Sequence, residues 1–295
     1  MKECHVAMRA IIKKNYKGCF NLNLVKKHAA GMNSIFIMSI FLVAQLISFS
    51  VLAENMEQKG FDVAARSDRS DRGFSDSEAE MTMVLQNAAG KKATRTLLLK
   101  TLEIPNESVG DKSLILFSTP KDIEGTALLS HAKMLESDDQ WLYLPALKRV
   151  KRISSKNKSG PFVGSEFAFE DFTASELNKF KYVYLRQEAC GRLICDVVER
   201  TPLYENSGYT KQIAWVDNTK YQLRVIEFYD RKGSLLKELR LEDYRLYRDK
   251  YWRPHLLTMK NLQTKKTSDL VYGEYKFKVG LSSSDFLKGR LSSLR

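Results

Sequence analysis

Glu166, Glu170 and Asp171 lie within six residues of one another. Acids that close are the raw material of general acid–base chemistry, one giving a proton while another takes it. Here they alternate with Phe167, Phe169 and Phe172, and no serine nucleophile, cysteine or histidine in the same stretch completes a site. Packing in a loop or at a sheet edge fits them better. His131 and His255 stand alone on strand-like stretches, where a histidine is more often structural than a base or a ligand. The chain has no Gly-x-Ser-x-Gly, no Gly-rich loop ending in Gly-Lys-Ser/Thr and no His-Glu-x-x-His. These residues supply no recognisable catalytic constellation.

A second set is basic. Lys148, Arg149, Lys151 and Arg152 bracket Val150, so on a strand they point to both faces. Either one face is open or the strand is an edge. Two readings stay open: contact with an anionic head group or an acidic partner, or an edge strand guarded by charge against aggregation. Trp141, Tyr143 and Phe162 nearby would also suit single-stranded nucleic acid, but the export signal described next argues against it. The third set is Cys190 and Cys195, which flank a probable hairpin tip. An oxidising compartment favours a disulfide there, worth only about 2 kcal/mol for so short a loop; the other reading is two small buried side chains. Zinc is not expected, because no second Cys/His pair stands at ligand spacing.

The elements that position these groups begin after an export signal. Ile35–Ala53 is a 19-residue run without charge, preceded by Lys26 and Lys27. Val51 and Ala53 supply the small residues of a cleavage site before Glu54. Cleavage after Ala53 is the expectation, with an uncleaved inner-membrane anchor as the alternative. No cysteine follows the run until Cys190, so no lipid-attachment site is expected. The upstream part is long for a signal, and Met8 and Met32 are alternative starts. The net charge is +13, of which residues 1–53, with seven Lys/Arg and one acid, account for six. The remaining chain is moderately basic, too diffusely so to imply nucleic acid.

From 54 to 72 the pattern predicts a short helix and a charged link, and from Ser75 onward strands. Met81, Met83 and Leu85 alternate with Thr82, Val84 and Gln86; Ala93–Glu103 and Leu114–Ser118 follow; Val271–Val279 is the clearest period-2 run. Turn signals at Ser137–Asp139, Val216–Asn218, Asp230–Gly233 and Arg248–Lys250 make the connections hairpins and the sheet antiparallel. About ten or eleven strands fit, and a twisted sheet that large curls or closes, with one face apolar and the other solvated. Short helical turns are expected near Ser175–Phe180 and Ser282–Leu287.

Trp141–Val150, the basic continuation to Ile153, the Gly160–Ser165 loop with Phe162 and Gly164, and Glu166–Phe172 occur in an order that resembles the signature of the LolA-like outer-membrane lipoprotein-sorting proteins. Weaker similarity extends to Ser77–Met83 and Pro120–Leu129. The later strands match only in pattern, and the resemblance covers most of 75–281. It implies a mainly β fold: a large curved antiparallel sheet forming an incomplete β-barrel, with a few short helices as its lid. It also implies an apolar interior for acyl chains and no catalytic residues. Helix is sparser here than in a typical sorting carrier, so residues 154–180 are expected to serve as part of the lid.

The expected organisation is a signal at 1–53, a helix and linker at 54–74, and a lipid-binding half-barrel at 75–295. Phe162, Phe167, Phe169, Phe172, Trp141 and Tyr143 are expected at the mouth or lid, and Lys148, Arg149, Lys151 and Arg152 at a head group or partner. The partners expected are lipid or lipoprotein acyl chains and an inner-membrane exporter. The protein is expected to be a periplasmic monomer without cofactor or metal. The runner-up is a non-catalytic envelope module with a filled core, docking onto a transporter by its basic edge. A hydrolase would need a polar cluster in the hollow around residues 166–171.

Overall fold

A computed structural model describes residues 54–106, 109–173 and 176–294. The predicted signal at 1–53, its cleavage after Ala53 and the alternative starts lie outside them. Among the described residues no helix is long and apolar enough to cross a membrane.

Fourteen strands form one antiparallel sheet: β1 (Asp76–Gln86), β2 (Lys92–Leu102), β3 (Lys112–Thr119), β4 (Ala127–His131), β5 (Asp139–Leu144), β6 (Arg149–Ile153), β7 (Phe180–Cys190), β8 (Leu193–Pro202), β9 (Lys211–Asp217), β10 (Leu223–Tyr229), β11 (Leu235–Tyr247), β12 (Tyr251–Asn261), β13 (Thr267–Tyr272) and β14 (Lys276–Phe277). Their spatial order is β6-β5-β4-β3-β2-β1-β13-β12-β11-β10-β9-β8-β7, with β14 on β1. Hairpin turns fall at the four predicted signals, as the registers of β4–β5, β9–β10, β10–β11 and β11–β12 require. The sheet is not closed, so it is an incomplete barrel and not a barrel proper. The strands at its two edges, β6 and β7, are neighbours in sequence, so the chain between them, 154–179, must travel from one edge to the other. Near the sheet's middle the first strand meets the last long one, with Met81 opposite Tyr272 and Gln86 opposite Thr267.

The inner face is set by strand alternation. Met81, Met83, Leu97, Ile115, Phe117, Leu128, Leu142, Ile226, Phe228, Leu239, Met259 and Leu270 make one continuous core there. The expectation of a solvated outer face holds only in part. On β3–β5 the alternate residues Leu114, Ala127 and Leu129 are buried too, against Phe286 and Leu291 of the C-terminal 3-10 turns. Two-sided burial explains the continuous apolar run of β4, which shows no alternation.

The period-2 run Val271–Val279 is not one strand. Met81 pairs with Tyr272 and Glu78 with Lys276, so three residues, Gly273–Tyr275, oppose two on β1. The extra residue is a bulge, anchored by Gly273 N–H donating to the Glu80 carbonyl at 2.8 Å.

Candidate functional site

The segment 154–179 crosses the inner face as a chain of short 3-10 turns, at Ser155–Asn157, Phe162–Gly164, Phe169–Phe172 and Leu177–Lys179. Its phenylalanines turn inward together. The Phe162 ring lies 4.5 Å from that of Phe172 and 5.6 Å from both Phe169 and Phe117, and Phe167 lies 5.4 Å from Phe172. Phe162 and Phe167 are buried against the sheet core, while Phe169 and Phe172 are partly accessible. Of the four, Phe172 faces open space in two cavities. Phe162 is thus a packing anchor under the crossing segment, which corrects its expected place at a mouth.

The polar groups of this segment hold it down. Asp171 accepts from Lys237 Nζ at 2.7 Å, Tyr209 OH at 2.8 Å and Ala168 N–H at 2.7 Å. Glu170 accepts from Gly208 N–H at 2.8 Å and from the hydroxyls of Ser207 and Tyr204 at 3.0 and 3.3 Å. Burial pushes the Glu170 carboxyl above its ordinary range, against the pull of those donors. Glu166 accepts from Asn261 Nδ2 at 2.7 Å. Buried Lys158 donates to Ser137 Oγ and the Asp138 carbonyl, and Lys179 pairs with the Asp138 carboxylate. Gln140 on β5 donates to the Phe169 carbonyl at 2.8 Å. The three acids singled out in the sequence are therefore clamps, each engaged by separate donors.

A helix over residues 54–71, α1, covers β7–β9 on the same face. Val63, with Phe61 and Ala64, packs on Tyr182, Tyr184, Val198 and Val216. Gly60 permits that approach, because a Cβ there would lie 2.7 Å from the Tyr184 amide nitrogen. The C-terminal end of α1 is tied by Asp71 to Arg253 on β12, and Arg72 just beyond it reaches Glu176 at 3.2 Å.

Between α1, the crossing segment and the sheet the inner face is left unfilled. A cavity of about 450 Å³ lies under α1, bounded by Val198, Val216, Leu223, Leu241 and Tyr244. Two more, of about 220 and 210 Å³, lie under the crossing segment. The first and second share Arg200 and Leu223, the first and third share Leu99 and Thr101, and the second and third share Asp171 and Phe172. They adjoin one another along the inner face, share walls and are together termed the hollow. Apolar side chains supply most of the lining surface, but charged groups line it too, Asp68, Asp71, Arg72, Glu103, Asp111 and Glu176 in the first cavity and Asp138, Lys158, Glu170, Asp171 and Lys179 in the second.

Other expected residues lie elsewhere. Trp141 and Tyr143 are on the outer face of β5, packed with Phe286 and Leu291 under the C-terminal turns, and Trp141 stacks edge-on against His131. They cannot reach the hollow, because Leu142 takes the inward position between them. Lys148 sits in the β5–β6 turn with positive φ, and Arg149, Lys151 and Arg152 are exposed on edge strand β6, Arg152 paired with Asp139. None lines the hollow. Cys190 and Cys195 are joined as a disulfide across the β7–β8 hairpin, Cα atoms 5.8 Å apart. His131 bonds the Phe286 carbonyl, and His255 bonds Tyr247 OH and the Tyr272 carbonyl. Among the described residues no group of three or more His, Cys, Asp or Glu is placed to hold a metal ion. Sequence reasoning missed the walls contributed by β8–β12. The signal was available as alternate apolar positions, interrupted on β8 by Asp196 and Arg200 in the register of Val198.

A family model described as an uncharacterized protein matches residues 110–293. The chain is 47% identical to an outer membrane lipoprotein-sorting protein domain from Vibrio parahaemolyticus, with a TM-score of 0.78 over 80% of this chain and 99% of that one. A DUF1329 family protein from Desulfovibrio piger is 26% identical, with a TM-score of 0.75 and the same coverage. A LolA superfamily protein from Nitrosomonas europaea is 20% identical over 78% of this chain and 98% of that one, and its TM-score of 0.63 is a likeness of fold. No curated protein matches the chain. Near-complete coverage of a 47%-identical relative, on a sheet of the same shape, means that the chain belongs to the same family as that outer-membrane lipoprotein-sorting protein domain.

Proposed function

We propose that the protein is a periplasmic carrier. It holds acyl chains of a lipoprotein or lipid in the hollow of its sheet, passes them between envelope components and catalyses no reaction. The observation that carries this reading is the three-compartment hollow beneath α1 and the crossing segment. Its largest compartment alone falls within the range of about 300–1,000 Å³ typical of small-molecule sites. Unfilled apolar space forfeits dispersion contacts, whereas each methylene buried in it returns about 0.8 kcal/mol. A flexible acyl chain suits three adjoining compartments of unequal size better than any rigid ligand would. The name of the Vibrio relative points the same way.

The experiment is to isolate the full-length gene product from the periplasmic fraction and record native mass spectra before and after lipid extraction. The delipidated protein is then offered a fluorescent acyl probe. A bound mass that extraction removes, and uptake of the probe, are expected. A folded protein that carries no lipid and takes up no probe would sink the proposal.

A further inference from the structure

Three buried side-chain atoms among the described residues have no hydrogen-bond partner: Arg200 Nε, Gln212 Oε1 and Gln140 Oε1. Two of them are neighbours, since Arg200 on β8 stands directly opposite Gln212 on β9. They do not satisfy each other, and both border the second compartment. Arg200 also borders the first. Its guanidinium lies 5.3 Å over the ring of Phe180 and makes no ion pair among the described residues.

That is an expensive arrangement. Arg200 is half-buried, but its Nε is fully occluded and unbonded, and an occluded donor without an acceptor costs free energy. No acid pairs with it directly: Asp171 is taken by Lys237 and Tyr209, acting on Arg200 only at a distance, and Glu170 by Gly208, Ser207 and Tyr204. Burial draws the Arg200 guanidinium below its ordinary basicity, opposed by Tyr182, Tyr204 and Asp171. Its Nη atoms are not among the occluded orphans, so their free donors reach accessible space, and the accessible space beside this residue is the hollow. A planar fork of N–H donors at the junction of two mainly apolar compartments is built for one class of ligand. Carboxylates and phosphates accept two parallel N–H bonds from such a fork.

We infer that Arg200 anchors the anionic group, carboxylate or phosphate, of an amphiphile whose acyl chain fills the hollow. The inference rests on the carrier reading and goes further by naming the chemistry of the ligand's polar end. Gln212 beside Arg200 would add a donor through its Nε2, its orphaned Oε1 being an acceptor that cannot bond the anion, and the chain runs past Leu223, the apolar residue the two compartments share.

The test uses the full-length, delipidated protein and three probes of equal chain length: palmitate, hexadecyl phosphate and hexadecanol. Calorimetry should show at least one of the two anions binding about tenfold or more tighter than the alcohol, as a charge-assisted hydrogen bond predicts. Which anion gains decides between carboxylate and phosphate. Arg200→Met should abolish that preference and leave hexadecanol affinity unchanged within about twofold, with Arg200→Lys in between. Arg200→Met should also unfold at no lower urea concentration than the parent, since it removes an occluded, unbonded donor; a structural arginine would lose stability instead. Equal binding of all three probes to the parent would overturn the inference and leave the carrier reading standing. So would an Arg200→Met variant that keeps the preference. If the parent binds none of the three, both fall.

Discussion

At the scale of single residues, Gly60 carries the docking of α1. Its Cα approaches β7 so closely that a Cβ would meet the backbone of Val183 and Tyr184 at 3.0 Å or less. Gly60→Val should cost about 1–3 kcal/mol, as overpacking does, read by urea denaturation, with hydrogen exchange in residues 54–71 rising first. Asp111 is the residue to watch with pH. Burial pushes its carboxyl from an ordinary 3.8 up to about 6, assisted by Glu176 and Glu103 and opposed by the Ile104 amide and Arg72. The folded state therefore binds this proton more tightly than the unfolded state. The Asp111 contribution to stability is fullest below about pH 4 and is lost as the pH rises to about 6. Asp111→Asn should flatten stability across that window, and a variant whose pH profile matches the parent's would refute the assignment. The phenylalanines of the crossing segment were legible because four of them crowd eleven residues. Trp141 and Tyr143 were not, because alternation separates the two faces of a strand without saying which is hollow. Arg200 was missed because a single arginine on a strand reads as surface.

At the scale of elements, the crossing segment depends on buried ion pairs more than on helix. Its longest turn spans four residues. Lys237 and Asp171 pair with almost no solvent access, so removing one partner strands the other. Lys237→Ala should cost about 3–5 kcal/mol, and proteolysis should begin within residues 154–179. The double variant Lys237→Met/Asp171→Asn should recover part of that loss; no recovery would mean that Lys237 acts through packing alone. The strands were readable from period and turn residues, although the bulge at Gly273–Tyr275 was not, since an alternating sequence gives no sign that one residue is surplus. The charges of 148–152 left an open face or an edge as the two readings, and β6 is an edge.

At the scale of the molecule, a carrier should be stabilised by what it carries. Linkage predicts about 2.7 kcal/mol at a ligand concentration 100 times the dissociation constant. Titrating an acyl ligand that calorimetry shows to bind should move the denaturation midpoint upward in step with ln[ligand]. A midpoint blind to saturating ligand would show binding at the surface and not in the hollow. Strand number required only that the sheet curl, split or close, and its openness was what the family resemblance implied. That β6 and β7 should be its two edges was not legible, because pairing between distant strands leaves no local pattern.

The meeting of β1 with β13 near the middle of the sheet also governs how the protein is born. Met81 and Tyr272 pair across nearly the whole chain, and loop closure over such a span delays folding. β1–β6 and β7–β13 can each form hairpins early, but the largest compartment takes its walls from both halves. That binding space should come into being only when the C-terminal strands arrive. A chain still emerging into its compartment would then present no greasy trap, and a C-terminally truncated one would never acquire one.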